Sequence, residues 1–215
     1  MKLKEMAPMM KEFFSGYIDY HKEIKKHDVW IKKYAATKGL KVNPHWMFYT
    51  NLKIWIAESE SMFGKRYCPC FEPGENAEVN KRLLCPCKFA QEDIQKHGSC
   101  HCVLFGRGDL TDEGFKEGET RLMQEYRGTP LNLENGILDT RGAHIDPARG
   151  LPVPDSLHQV KRALNKARGQ TLEVIVETNV EVENLGKFAG KQGLNFRSSK
   201  VGDTWHVELI PRATA

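Results

Sequence analysis

Six cysteines fall between residues 68 and 102, and the chain has no others. They form three Cys-x-Cys pairs: Cys68-Pro69-Cys70, Cys85-Pro86-Cys87 and Cys100-His101-Cys102. Six thiols divide naturally into four plus two. Four thiolates hold an iron–sulfur cluster, and two close a redox disulfide. A chain with both in one place turns single electrons into thiol chemistry. Alternate cysteines on a short turn tend to point in different directions, and a proline between them fixes φ and removes an amide donor. One sulfur of a pair can therefore bind metal while its neighbour faces away. Two spare sulfurs form a disulfide only if the fold brings their Cα atoms within about 4.4–6.8 Å.

Structural zinc and a disulfide scaffold are the competing uses. Zinc ligands are usually spaced Cys-x2-Cys or wider, so that both sulfurs reach one ion. Three Cys-x-Cys pairs match that poorly, although zinc stays open on the residues alone. The segment Met1-Lys2-Leu3-Lys4-Glu5-Met6 is basic, but Lys11 and Glu12 interrupt before any apolar run forms. No export signal is expected. The expected setting is then cytoplasmic and reducing, where structural disulfides are rare and metal or catalytic cysteines common.

At 215 residues there is room for one large domain or two small ones. An apolar content of 40% and a charged content of 28% are ordinary for a globular protein. A formal charge of +4 favours acidic protein partners by steering but is too small to argue for nucleic acid. No apolar stretch is long enough for a bilayer, so no membrane partner is expected.

The pattern predicts the elements that hold the cysteines. Residues 8–38 read as helix, with Phe13, Phe14, Tyr17, Ile18, Ile24, Val29, Trp30, Ile31 and Tyr34 as core aromatics and aliphatics and Gly39 as the stop. A second helix is expected from Thr50 to Phe63, ended by Gly64. Glu72–Asn76 reads as loop and Glu92–Lys96 as a short helical turn. Residues 118–137, with Arg127-Gly128-Thr129-Pro130 and Asn135-Gly136, read as a connector. Beyond it come a short strand at Ala143-His144-Ile145, a helix over 154–168, a strand over 171–176, a helix over 180–191, and a hairpin of 196–201 with 204–210 around Gly202-Asp203. The expected fold class is α+β: a mainly helical iron–sulfur domain (1–127), a linker (128–137), then a small β-α-β-α-β-β two-layer sandwich (138–215).

The ordered triplet Cys-Pro-Cys, Cys-Pro-Cys, Cys-His-Cys, followed by Leu104-Phe105, resembles the catalytic chain of ferredoxin–thioredoxin reductase over residues 40–110. The resemblance implies a [4Fe–4S] cluster with Cys68, Cys85, Cys87 and Cys100 as ligands. It implies a redox disulfide between Cys70 and Cys102, with Cys70 the outer, attacking thiol and Cys102 next to the cluster. His101 is then the proton carrier beside the disulfide. The implied activity is ferredoxin-dependent reduction of thioredoxin or a thioredoxin-like protein. The pairs are separated by 14 and 12 residues. The second gap is longer than in chloroplast enzymes, which bears on the docking face more than on the ligand set.

Ala148-Arg149-Gly150-Leu151-Pro152-Val153-Pro154-Asp155 resembles the signature of TusA-like sulfur carriers, and Val180 to Gly193 resembles that family's second helix. That resemblance covers 138–212. The carrier cysteine of that family falls on Val153 here, which has no thiol. The expected role is docking, self-association or structural support. The competing function, from another class, is an iron–sulfur adaptor in sulfur trafficking with a purely structural cluster. It predicts that Cys70→Ser and Cys102→Ser leave function intact.

Overall fold

The lysine-rich amino-terminal stretch folds as helix, but with a break. The computed structural model describes Met10 and residues 13–128, 130–142, 155–167 and 169–212. Residues 13–19 are helical, Tyr20 is a turn, and α1 runs His21–Thr37. The break is at Tyr20, where φ is −115° and ψ 20°, four residues after Gly16. A Cβ on Gly16 would stand 2.6 Å from Cγ2 of Ile54, so close packing requires the glycine. α1 buries Ile24, His27, Ile31 and Ala35 at helical spacing. Phe14, Tyr17, Ile18 and Val29, read from the sequence as core, are exposed instead. Helical periodicity found the helix but not which apolar side chains face inward.

Gly39, with φ of +64°, lets the chain turn into β1 (Leu40–Val42). α2 (Trp46–Phe63) begins four positions before the expected Thr50, directly after Pro44 and His45, and ends at a left-handed Gly64 as expected. Leu52 and Ile56 enter the core, and Lys53 pairs with Asp28 of α1 at 2.9 Å. Two short helices follow: α3 (Ala77–Arg82), capped by the Asn76 side chain, and α4 (Ala90–His97), closed by a left-handed Gly98. Strand β2 (Phe105–Arg107) pairs antiparallel with β1, Val42 opposite Phe105.

Helix α5 spans Asp112–Gly128, so most of the stretch read as the start of a connector is helical. Gly114 and Gly118 obscured it. Each sits where a Cβ would press on a side chain: on Leu110 at Gly114, and on Ser99 and Val103 at Gly118. These glycines permit close helix packing instead of ending the helix.

The chain divides into two units: Met1–Cys70 with Leu84–Gly128, and Phe71–Leu83 with Thr129–Ala215. Phe71–Leu83, including α3, thus groups with the second unit although it lies within the cysteine window. In that unit β3 (Leu133–Glu134) and β4 (Ile137–Asp139) form a hairpin over Asn135-Gly136, both at positive φ, as a tight hairpin turn demands. Asn-Gly was therefore a hairpin signal inside the supposed linker. α6 (Ser156–Ala167), β5 (Leu172–Val176), α7 (Asn179–Lys191), β6 (Asn195–Val201) and β7 (Thr204–Ile210) follow. The sheet order is β3-β4-β5-β7-β6, with β4 and β5 parallel and the other pairs antiparallel. Leu172, Val174, Val176, Val207 and Leu209 bury alternate positions, and β6 is an exposed edge. The expected strand at Ala143-His144-Ile145, the motif residues 148–154 and Val153 lie outside the described residues. The fold class holds: a helical part first, then a small sheet region with helices.

Within the second unit, Glu72 is buried and its carboxylate accepts hydrogen bonds from Ser156 N, Ser156 Oγ and Leu157 N, at 3.1, 2.9 and 3.2 Å. These are the orphan amides at the start of α6. Asn184 of α7 donates to the Pro73 carbonyl at 2.8 Å.

Candidate active site

All six cysteines belong to the first unit. The first pair follows α2, where the left-handed Gly64 redirects the chain. Tyr67 bridges Leu84, and Cys85 N donates to the Arg66 carbonyl at 2.8 Å. The segments entering the first and second pairs are thereby laid side by side. The Cys87 carbonyl then accepts from Ala90 N at 3.0 Å, where α4 begins.

The third pair sits on a hairpin tip. Arg107 N donates to Gly98 O at 2.7 Å, Cys100 N to Phe105 O at 2.9 Å and Val103 N to Cys100 O at 2.8 Å. Val103 has a φ of +61° and no exposure. A β-branched residue in the left-handed region is a steric outlier. Leu104, Phe105 and Phe115 pack beneath the tip, each almost fully buried.

The sulfurs converge. Those of Cys68, Cys70 and Cys102 lie within 4.8 Å of one another, and the Cys100 and Cys102 sulfurs are 3.7 Å apart. Cys68 also contacts Cys87. Cys68, Cys87, Cys100 and Cys102 are buried, whereas Cys70 and Cys85 are half-buried. All six are free thiols in this structure. The structure therefore sets the expected disulfide partners Cys70 and Cys102 side by side, with Cys70 the more exposed. It also sets Cys68 against both of them and against Cys87. The tightest triplet, Cys68, Cys70 and Cys102, is not a subset of the expected ligand set.

Hydrogen bonds from Cys100, Cys68 and Cys70 hold the Cys102 thiol well below the ordinary range, against the opposing effect of burial. Cys100, Cys68 and Cys70 are pushed up, chiefly because each donates to Cys102. Burial pushes Cys85 up, while a hydrogen bond from Cys68 pulls Cys87 down. Phe105 N donates to the Cys100 sulfur at 3.3 Å. The donor set is entirely thiol, largely buried and served by backbone amides. Such a donor set suits an iron–sulfur cluster, in which thiolates bind iron and hydrogen bonds to sulfur tune the potential.

His101 is half-buried, with Nε2 3.3 Å from Oε2 of Glu125 on α5. The Arg66 guanidinium stacks 4.7 Å above the Trp30 ring, and its charge is one influence that lowers the Cys85 thiol. Trp30 Nε1 donates to Nδ1 of the fully buried His27 at 3.0 Å, and His27 Nε2 lies 3.4 Å from Glu60. Asn43 and Glu119 brace the tip from below. Sequence reasoning singled out none of Asn43, Arg66, Glu119 and Glu125. Each is distant in sequence from the sulfurs it serves or, like Arg66, is a common surface residue type.

The family model described as ferredoxin thioredoxin reductase catalytic beta chain matches residues 19–127. No curated protein matches the chain. The matched span contains all six cysteines, His101, α1 through α4 and the first sixteen residues of α5.

Proposed function

Because the chain belongs to the ferredoxin thioredoxin reductase catalytic beta chain family, an iron–sulfur family of disulfide reductases, we propose that it reduces thioredoxin or a thioredoxin-like protein with electrons from ferredoxin. In this reading Cys68, Cys85, Cys87 and Cys100 hold a [4Fe–4S] cluster, and Cys70 and Cys102 form the redox disulfide. The observation that carries it is the placement of a half-buried Cys70 beside a buried Cys102, with Cys68 and Cys100 against them.

The cluster, when bound, supplies electrons one at a time to a disulfide that needs two. Reduction of the Cys70–Cys102 bond consumes two electrons and two protons and leaves two thiols. Cys70, the more accessible sulfur, attacks one sulfur of the target disulfide as thiolate. A Cys70–target bond forms, the target S–S bond breaks, and the second target sulfur leaves as a thiol after taking a proton. Cys102 then attacks Cys70, reforming the internal disulfide and releasing the second target thiol. His101, beside Cys102 in sequence and half-buried, is placed to take or return a proton at these sulfurs, and Glu125 orients its ring. The second unit is read as a TusA-like docking, self-association or structural module, a reading supported by its two helices between strands and closing hairpin.

The test is turnover of a thioredoxin disulfide with reduced ferredoxin. Cys70→Ser and Cys102→Ser are each expected to abolish it while leaving the visible iron–sulfur band. Full turnover in both variants would overturn the reading in favour of a structural cluster.

A further inference from the structure

Val103 is the one non-glycine, β-branched residue at positive φ among the described residues, and it directly follows Cys102. Such a conformation persists only where the surroundings over-determine it. Here they do. Asn43 Nδ2 donates to the Val103 carbonyl at 3.0 Å, and Asn43 N donates to Leu104 O at 3.1 Å. The same Nδ2 donates to Glu119 Oε1 at 2.8 Å, and Asn43 Oδ1 accepts from His45 N at 2.8 Å. His45 Nδ1 closes the set on Glu119 at 2.7 Å. Every polar atom of the Asn43 side chain is thus engaged, and the residue is buried. Gly118, next to Glu119 on α5, lets that helix approach the Val103 side chain, where a Cβ would be 3.1 Å away.

The consequence falls on the sulfurs. A left-handed residue turns the backbone so that the amides after it face back, as in the concavities that bind anions. Phe105 N points at the Cys100 sulfur at 3.3 Å, and the Leu104 amide is one influence that lowers the Cys102 thiol. We propose that Asn43 is a positioning residue for the sulfurs of Cys100 and Cys102. By pinning the Val103 carbonyl it keeps the Leu104 and Phe105 amides aimed at them. This rests on Cys100 being a cluster ligand and Cys102 the redox thiol.

Amide donation to sulfur favours the more negative, reduced state, so its loss lowers the potential. The test compares the full chain, purified without oxygen, with Asn43→Ala and Asn43→Ser, the latter keeping one donor. Two readouts are taken: hydrogen exchange at Leu104 and Phe105, and the midpoint potential of the iron–sulfur centre. Asn43→Ala is expected to lose protection at both amides. Its potential is expected to fall by at least a tenfold change in equilibrium constant, about 59 mV for one electron. Asn43→Ser moves the same way by less, and decides alone if the alanine chain does not fold. Retained protection overturns the proposal, and so does lost protection with an unmoved potential, the mark of a merely structural contact. A chain that purifies without iron contradicts the functional reading instead. Exchange then decides the proposal: lost protection supports it and retained protection overturns it.

Discussion

Cys102 is buried, whereas Cys70, whose sulfur lies beside it, is half-buried. That difference between two sulfurs is the chemical content of the site. In thiol exchange the sulfur that a target disulfide can reach is the one placed to attack it. Alkylation under native, reducing conditions is therefore expected to label Cys70 before Cys102, as peptide mass mapping can check. Equal labelling of both would remove the asymmetry. The six cysteines and His101 were legible in the sequence because pair spacing and order are local properties. Asn43, Glu119 and Glu125 were not, because tertiary contact alone brings them to the tip, and Arg66 was not, because arginine is a common surface residue type. Asn43 in particular reads as the turn signal of Asn43-Pro44, and its buried hydrogen bonds to Val103 and Glu119 cross 60 and 76 positions.

At the scale of elements, glycine had two opposite meanings. Gly39 and Gly64 take left-handed conformations at helix ends, and the sequence signal was sound there. Gly114 and Gly118 lie inside α5 and mark close approach, so the helix was missed. Gly118→Ala tests this. Alanine favours a helix interior over glycine by about 1 kcal/mol, but the new Cβ would crowd Ser99 and Val103, both buried, at 3.1 Å. Overpacking of this kind costs about 1–3 kcal/mol, so net destabilisation is expected in denaturant unfolding. A stabilised variant would show that the hairpin tip yields freely.

Glu72 gives the second element-scale prediction. Burial pushes its carboxyl from an ordinary 4.5 up to about 8, against the Ser156 hydroxyl and Leu157 amide, which pull it down. The folded chain then holds a proton that the unfolded chain releases over that interval. The contribution is fully present below about pH 4.5 and is lost as pH rises through about 8. Glu72→Gln should flatten that slope in thermal unfolding measured from pH 5 to 8. An unchanged slope would mean that Glu72 is already ionised on the helix. Glu72→Ala should cost about 1–3 kcal/mol by leaving buried amides of α6 without an acceptor.

Across the whole molecule, the division into a helical part and a later sheet part was readable, because the apolar period changes from helical to alternating near β5. The assignment of Phe71–Leu83 to the second unit was not. It depends on Glu72 and Asn184 bonds that span 84 and 111 positions. No described helix is long and apolar enough to cross a membrane. The formal charge of +4 predicts a faster encounter with an acidic electron donor at low salt than at high salt. Stopped-flow reduction rates that do not change with ionic strength would remove steering from the account.

The division of six sulfurs into four and two is tested most directly by composition. The chain, purified without oxygen, is analysed for iron, sulfide, zinc and free thiol before and after chemical reduction. The account predicts about four iron and four sulfide per chain, and about two thiols gained on reduction. A colourless chain that carries zinc, or one that gains no thiol on reduction, would contradict it.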